Sequence, residues 1–393
     1  MTIQPPAGFP ITDQKSAGRL LWMTDTYGDQ NGVSTVLKAI HQVIKSRNLP
    51  IDLMVCSSRI KPDDHLIVLK PVSEFTFPLY RQQPFRIPNF VSVQRAFRRG
   101  NYNRIICSTE GPMGLAALWL KKVFSVETFF YLHTDWLTFA KEVLSMEEVG
   151  LSRLQKALRI YYKGFGNIFV LNTDQQQWLT STGMGFKPSR VFLTAHWADK
   201  SFSEPLPVAQ TRLPFNPEGP VALYTGRISK EKGVMELPGI VRMVRSVIPE
   251  LQMVIAGTGP AEEELKRALP DAFYLGWVGH ENLPALFKSS DILLLPSRFD
   301  TFSCVVLEAL SSGLPVAAYN TKGPKDILED SVCGYLAETA EEMAGKVISF
   351  FLDPDKRKQM KLAARSRAED YKAEDIMDRL LQDTGLVTKS CPI

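Results

Sequence analysis

At 393 residues, 45% apolar and 22% charged, the chain has the composition of a soluble globular protein, too long for one hydrophobic core and suited to two. A net charge of +4 is too small to point to nucleic acid by itself. The five cysteines (Cys56, Cys107, Cys304, Cys333, Cys391) are odd in number and never form a C-x-x-C, which argues against a disulfide framework or zinc site and for a reducing compartment.

Residues 1–18 carry Pro5, Pro6 and Pro10 without an apolar core segment and read as a flexible tail rather than a secretion signal. No apolar run approaches the 18 residues or so needed to span a bilayer. The expected location is cytoplasmic, with peripheral attachment to a membrane left open. From Arg19 onward short apolar runs alternate with amphipathic helical patterns, the signature of parallel βαβ units. Strands are expected at Arg19–Thr24, Ile51–Cys56, Arg104–Ser108, Thr128–Leu132, Asn167–Leu171 and Val191–Leu193. Val33, Val36, Leu37, Ile40, Val43 and Ile44 mark the first helix.

The rhythm breaks between Asp199 and Pro220, where five prolines and no apolar period suggest a linker. It then restarts, with strands expected at Val221–Tyr224, Gln252–Ala256, Ala272–Leu275, Ile292–Leu295 and Val316–Ala318. Helices are expected at Val234–Val247, Ala261–Leu269 and Phe302–Ser312. The expected fold is α/β, with two doubly wound Rossmann-like domains facing each other across a cleft, 19–200 and 220–370, joined by 201–219. Residues 371–393 form a C-terminal helix that can pack back on the first domain. Ligands belong at the carboxyl ends of the strands.

The most informative segment runs from Leu294 to Val316, LLPSRFDTFSCVVLEALSSGLPV. A strand ends at Pro296, a polar loop carries Asp300, and a helix begins near Phe302. The free amides of such a helix start suit a diphosphate, and Glu308, about two turns on, can accept hydrogen bonds from two ribose hydroxyls. On spacing alone, Asp300 or Thr301 as a helix cap and Glu308 as a surface residue explain the segment equally well.

The segment resembles the E-x-F-G-x-x-x-x-E-A…G-x-P-V signature of family 4 retaining glycosyltransferases of the GT-B fold. Tyr224-Thr225-Gly226-Arg227-Ile228-Ser229-Lys230-Glu231-Lys232-Gly233 is similar to that family's G-R-x-x-x-x-K-G segment, Gly257-Thr258-Gly259 to its glycine loop, and Gly276-Trp277-Val278 to the segment beside the base. In the first half, Asn31-Gly32-Val33-Ser34, Thr109-Glu110-Gly111-Pro112-Met113-Gly114 and Tyr131-Leu132-His133-Thr134 resemble further motifs of members. Two positions depart from the pattern: Asp300 stands for the usual Glu, and Ser303 for the usual Gly.

The resemblance implies transfer of a hexosyl group from a UDP- or GDP-sugar to a lipid or glycan acceptor, with no cofactor beyond the donor and no metal. It places chemistry at Arg227, Lys232, Asp300 and His133. It places the donor at Gly32, Gly257, Gly259, Val278, Thr301, Phe302, Ser303, Cys304 and Glu308, and a supporting or acceptor role at Glu110. His196, at another strand end, is a lesser candidate. A nucleotide-sugar epimerase or phosphorylase, or a catalytically weak glycosyl-binding protein, fits the same motifs. Asp353-Pro354-Asp355 has the spacing of a metal site but precedes a basic helix, so Asp353 reads as its cap. From Phe75 to Thr109 there are six arginines (Arg81, Arg86, Arg95, Arg98, Arg99, Arg104), interleaved aromatics and no acid. That stretch suits an anionic membrane surface or an acidic acceptor; solvated arginines over a core of aromatics is the plainer reading.

Overall fold

The computed structural model describes residues 18–29, 32–77, 80–142, 144–205 and 219–387. Outside the described residues lie 1–17 of the expected tail, Asn31, 206–218 of the expected linker, the side chain of Arg81, and 388–393 with Cys391. The chain divides into two compact units, 1–131 with 378–393, and 132–377.

In the first unit β1 (Arg19–Thr24), β2 (Ile51–Cys56), β3 (Leu66–Leu69), β6 (Tyr102–Cys107) and β7 (Glu127–Tyr131) pair in parallel in the order β3-β2-β1-β6-β7. Leu20, Leu21, Trp22 and Met23 are all fully buried, because crossover helices cover both faces of a parallel sheet. Between β3 and β6 the chain makes an antiparallel hairpin, β4 (Pro71–Phe77) and β5 (Tyr80–Pro88), in which Phe75 lies opposite Phe85 with ring centroids 5.2 Å apart. Neither β3 nor this hairpin is expected from the sequence, since β3 is a bare four residues and alternation in the hairpin is confined to Phe75-Thr76-Phe77 and Phe85-Arg86-Ile87.

The helices of this unit are α1 (Gly32–Arg47), α2 (Phe90–Gly100) and α3 (Pro112–Phe124). Leu37, Ile40 and Ile44 bury one stripe of α1 at helical spacing. The Asn89 side chain starts α2 by accepting from the amides of Val91 at 3.0 Å and Ser92 at 3.1 Å. Asn101, at φ 52°, ends it.

In the second unit come α4 (Trp136–Glu142), α5 (Glu148–Gly164), β8 (Asn167–Val170), α6 (Thr173–Thr180) and β9 (Val191–Leu193), with β8 and β9 parallel. A six-stranded parallel sheet follows: β10 (Val221–Thr225), β11 (Gln252–Ala256), β12 (Phe273–Gly276), β13 (Ile292–Leu295), β14 (Val316–Tyr319) and β15 (Gly334–Ala337), in the order β12-β11-β10-β13-β14-β15. Its helices are α7 (Leu237–Arg245), α8 (Glu262–Ala268), α9 (Leu283–Lys288), α10 (Cys304–Ser311), α11 (Lys322–Ile327), α12 (Ala340–Leu352) and α13 (Pro354–Ala368). Tyr224, Ile240, Met253, Leu294, Val347 and Phe350 belong to one core beneath the sheet.

Two expected helices start later than their apolar pattern implies. Val234–Glu236 is a 3₁₀ turn leading into α7, and α10 begins at Cys304 because Ser303 is left-handed, at φ 67°. Strand order reverses between β10 and β13. The carboxyl ends of strands that flank such a reversal are the usual ligand position in an open parallel sheet.

Candidate active site

The loop after β10 carries Arg227 and Lys232; the loop after β13 carries Asp300 and Ser303. These loops touch because Gly233, at φ +68°, has no side chain: a Cβ there would lie 1.9 Å from the Pro296 carbonyl oxygen. The Lys232 ammonium consequently meets Asp300 Oδ1 in an ion pair, across 68 residues of sequence. Asp300 Oδ2, Ser303 Oγ and Ser229 Oγ are buried without a hydrogen-bond partner. Buried polar atoms in folded proteins are nearly always paired, so three orphans on these two loops mark a place for a polar ligand.

The glycine loop after β11 is closely packed. A Cβ on Gly257, at φ +144°, would lie 1.9 Å from the Gly226 carbonyl oxygen, and one on Gly259 would lie 2.2 Å from that of Ile228. These glycines press the loops after β10 and β11 together.

Ser303 occupies the position where the resembled signature has glycine, and its left-handed backbone is the conformation glycine serves. Together with its orphaned hydroxyl, this makes Ser303 a strained residue, and strain at a ligand site is commonly kept for function. Ser303→Gly is expected to raise stability by about 1 kcal/mol, read as a higher unfolding temperature, while weakening donor binding. Neither Asp300 nor Thr301 caps α10, so the capping reading does not hold.

At the first residue of α10, Cys304 is raised to about 12 by burial and then by the charges of Glu308 and Asp300, which keeps it a neutral thiol. Glu308 is partly buried and is raised to about 7, first by desolvation and then by the nearby Asp199 charge. Asp199 stands at the start of the expected linker; the structure uses it to cap a short 3₁₀ turn through the Ser201 amide at 2.9 Å.

The Asp300–Phe302 loop is held from behind. Asn172, fully buried, donates from Nδ2 to the Thr301 carbonyl at 2.6 Å while its Oδ1 caps α6 through the Gln175 amide at 2.8 Å. The Gly323 amide donates to the Asp300 carbonyl at 3.2 Å. Lys322 in α11 is bonded to Asp135 and, at 2.6 Å, to Thr138; Lys325 is bonded to Asp174 at 2.7 Å.

The Phe302 ring is buried edge-on to His196 at 4.9 Å, and His196 stacks on His133 at 5.5 Å and 15°. Burial lowers His133 to about 3 and His196 well below its ordinary value, so both rings are neutral at pH 7. A neutral imidazole beside the loop can hydrogen-bond a sugar hydroxyl without adding charge. Asn172 is invisible as a site residue in the sequence, where Asn172-Thr173-Asp174 reads only as a helix start. Asn172→Asp keeps the cap but sets a carboxylate oxygen against the Thr301 carbonyl. It is expected to cost about 2 kcal/mol by thermal unfolding and to weaken donor binding, whereas a change to α6 alone would leave binding intact.

The other expected residues are placed less centrally. Arg227 is exposed, in no ion pair among the described residues, and its carbonyl accepts from the Tyr224 hydroxyl at 2.8 Å. Val278 is half-buried beyond β12, beside Trp277, which is 80% exposed. Gly32 is exposed at the start of α1, with nothing within 4 Å of a Cβ built there, and Glu110 is half-buried just before α3; both belong to the first unit.

The arginine-rich stretch of that unit divides. Arg86 is buried, paired with Asp29 at 3.2 Å and Glu74 at 3.3 Å, and donates to the Asp25 carbonyl at 3.3 Å, so it belongs to the interior and not to a basic surface. Arg104 donates to the Gly385 carbonyl at 2.8 Å. Arg95, Arg98 and Arg99 remain exposed along α2. Arg86 also meets a cluster the sequence did not reveal. At the end of β1, Asp25 is raised to about 6 by burial, against hydrogen bonds from the Thr109 hydroxyl at 2.6 Å and the Met113 amide at 3.1 Å. Asp29 Oδ2 is buried and unpaired.

Among the described residues no group of three or more His, Cys, Asp or Glu side chains is arranged to hold a metal ion. Asp353 caps α13 through the Lys356 amide at 2.9 Å. No described helix is long and apolar enough to cross a membrane.

Two family models match adjoining parts of the chain, Glycosyltransferase Family 4 over residues 30–199 and Glycosyl transferases group 1 over 209–367. Among solved structures, a sucrose-phosphate synthase from Thermosynechococcus elongatus matches with a TM-score of 0.75 and 16% identity over 93% of this chain and 98% of that one. The Anabaena protein HepE, solved in complex with UDP-glucose, matches at 0.69 and 16% over 94% and 100%. The chain belongs to the family 4 glycosyltransferases of the GT-B fold. A GDP-mannose-dependent alpha-mannosyltransferase of Corynebacterium glutamicum is 30% identical over 195 residues, 48% of this chain and 46% of that protein. The first curated relatives are matched over less than half of their lengths.

Proposed function

We propose that the chain is a retaining, metal-independent hexosyltransferase that takes the sugar of a UDP- or GDP-sugar and passes it to a lipid or glycan acceptor. The observation that carries the reading is the pair of loops after β10 and β13, where Lys232 pairs with one oxygen of Asp300 while the other oxygen, Ser303 Oγ and Ser229 Oγ lie buried and unpaired. A donor diphosphate beside Lys232, Arg227 and the first amides of α10 meets two cations and a helix N-terminus. The sugar then lies against Asp300, with His133 as a neutral hydrogen-bonding partner, and the ribose against Glu308. As the anomeric bond breaks, negative charge grows on the departing diphosphate, where Lys232 and Arg227 stabilise it more than in the ground state. With no carboxylate nucleophile needed, attack occurs on the face the diphosphate leaves, and a phosphate oxygen takes the acceptor proton.

A uridine and a guanosine donor are both supported, by the HepE complex with UDP-glucose and by the GDP-mannose-dependent relative. The exposed Arg95, Arg98 and Arg99 on α2 suit an anionic acceptor or lipid surface on the first unit. The test is calorimetric binding and turnover with a panel of UDP-, GDP- and ADP-sugars. A transferase releases nucleoside diphosphate slowly until acceptor is added. An epimerase converts the donor without acceptor, and that result would sink the proposal, as would full turnover in both Lys232→Ala and Glu308→Ala.

A further inference from the structure

Helix α5 is held to the second unit by a narrow stripe. Leu158 and Tyr162 are buried and Leu151 and Leu154 partly so, a spacing that places all four on one side. The opposite side carries Val149, Arg153, Lys156, Ile160 and Lys163, which helical spacing also aligns in one row. Val149 is 64% exposed and Ile160 76% exposed, in the middle of cations.

Glu147 and Glu148 stand at the start of the helix, and from Val149 to Thr173 the chain has no acidic residue. Arg159 and Lys163, one turn apart, reach the same point: a Cβ built on Gly185 would lie 3.6 Å from Arg159 Nη2 and 3.5 Å from Lys163 Nζ. Neither cation is in an ion pair among the described residues. Lys163 Nζ also lies over the Phe186 ring, 6.0 Å from its centroid, which leaves its charge without an acidic partner. Converging cations with no acidic partner suit a phosphate, and large aliphatic side chains exposed between them suit hydrocarbon.

We propose that the outward face of α5 is a peripheral membrane-binding surface, which takes an anionic phospholipid headgroup between Arg159 and Lys163 and sets Val149 and Ile160 beneath the headgroups. Charge complementarity selects the anionic lipid, with Arg153 and Lys156 extending the cationic face along the row. Nucleic acid fits less well, because the aromatic ring beside the cations, Phe186, lies under the Lys163 ammonium, and Val149 and Ile160 would be left without a function. The surface is distinct from the donor loops and from the arginines of α2.

The test is sedimentation of the full chain with vesicles of phosphatidylcholine alone and with about 30 mol% phosphatidylglycerol added. Wild type is expected to follow the anionic vesicles and to ignore the neutral ones. Arg159→Glu/Lys163→Glu and, separately, Val149→Ser/Ile160→Ser are each expected to lower partition at least about tenfold, at unchanged unfolding temperature and donor binding. The positions are exposed, so two independent variants guard against loss of fold in either. Wild type that stays in solution overturns the proposal, as does recruitment surviving either variant at the wild-type level. So does a loss seen only in Arg95→Glu/Arg98→Glu/Arg99→Glu. Retention of a single-stranded oligonucleotide that depends on Arg159 and Lys163, with vesicle recruitment unaffected by them, assigns the surface to nucleic acid and overturns it too.

Discussion

Replacing Lys232 by alanine is expected to lower kcat about 10²–10³-fold, with a much smaller change in donor KM. In the proposed reaction the ammonium, on the loop after β10, lies beside a diphosphate that is already anionic and gains further charge as the glycosidic bond breaks. Removing one preorganised donor to developing charge typically costs about 3–4 kcal/mol of transition-state stabilisation. The same substitution removes the one hydrogen-bond partner that the Asp300 carboxylate has among the described residues, and that side chain is 12% exposed. A loss of about 1–2 kcal/mol in stability is therefore expected alongside.

Those two effects separate in the double variant Lys232→Ala/Asp300→Asn. Neutralising Asp300 relieves the stranded charge, so the unfolding temperature recovers, while turnover stays low. Steady-state kinetics and thermal unfolding on the same preparations check both. A single variant with kcat near wild type would remove Lys232 from the chemistry. Recovery of turnover in the double variant would show that the ion pair, rather than the diphosphate, is what Lys232 serves.

Donor affinity is expected to rise with pH up to about 7 and then level off, through Glu308. Two ribose hydroxyls need an ionised carboxylate as acceptor, and burial holds this one protonated up to about pH 7. Below that point binding must first remove the proton, so affinity falls by up to about tenfold per pH unit as pH drops. Stability runs the other way. Glu308 has an ordinary value of 4.5 and about 7 when folded, so the folded chain binds the proton more tightly than the unfolded one. Its contribution is present in full below about 4.5, declines as pH rises to about 7, and is level above. In Glu308→Gln both dependences vanish and affinity is weak throughout. Calorimetric titration with nucleoside diphosphate between about pH 5 and 9, in buffers of different ionisation enthalpy, checks the sign through proton release. Affinity independent of pH in wild type would place the ribose elsewhere.

Much of the fold was readable from the chain because a parallel strand buried on both faces must be continuously apolar. Leu20–Met23, Ile292–Leu295 and Val316–Ala318 show that run, and each is a strand. Glycine and proline punctuation located the loops after β10 and β13, and those loops hold Lys232, Asp300 and Ser303. What was illegible is local geometry with distant causes. The left-handed backbone of Ser303, which delays α10 to Cys304, belongs to a residue type that rarely adopts it. The β4–β5 hairpin hid in a stretch whose arginines dominated its pattern, and one of them, Arg86, turned inward to Asp29 and Glu74.

The chain by itself thus determined the α/β class, the family resemblance and the two loops that hold the candidate chemistry, because each depends on residues adjacent in sequence or one helical turn apart. The tertiary structure decided which of those residues meet. Lys232 reaches Asp300 because β10 and β13 are neighbours in the sheet and Gly233 lets their loops close together. Asn172 reaches Thr301 across 129 residues, and His196 places its ring between His133 and Phe302. The unpaired oxygens of Asp300 and Ser303, the most direct sign of a ligand, exist only once burial has removed water from them. Burial follows from packing the whole chain, which no local pattern records.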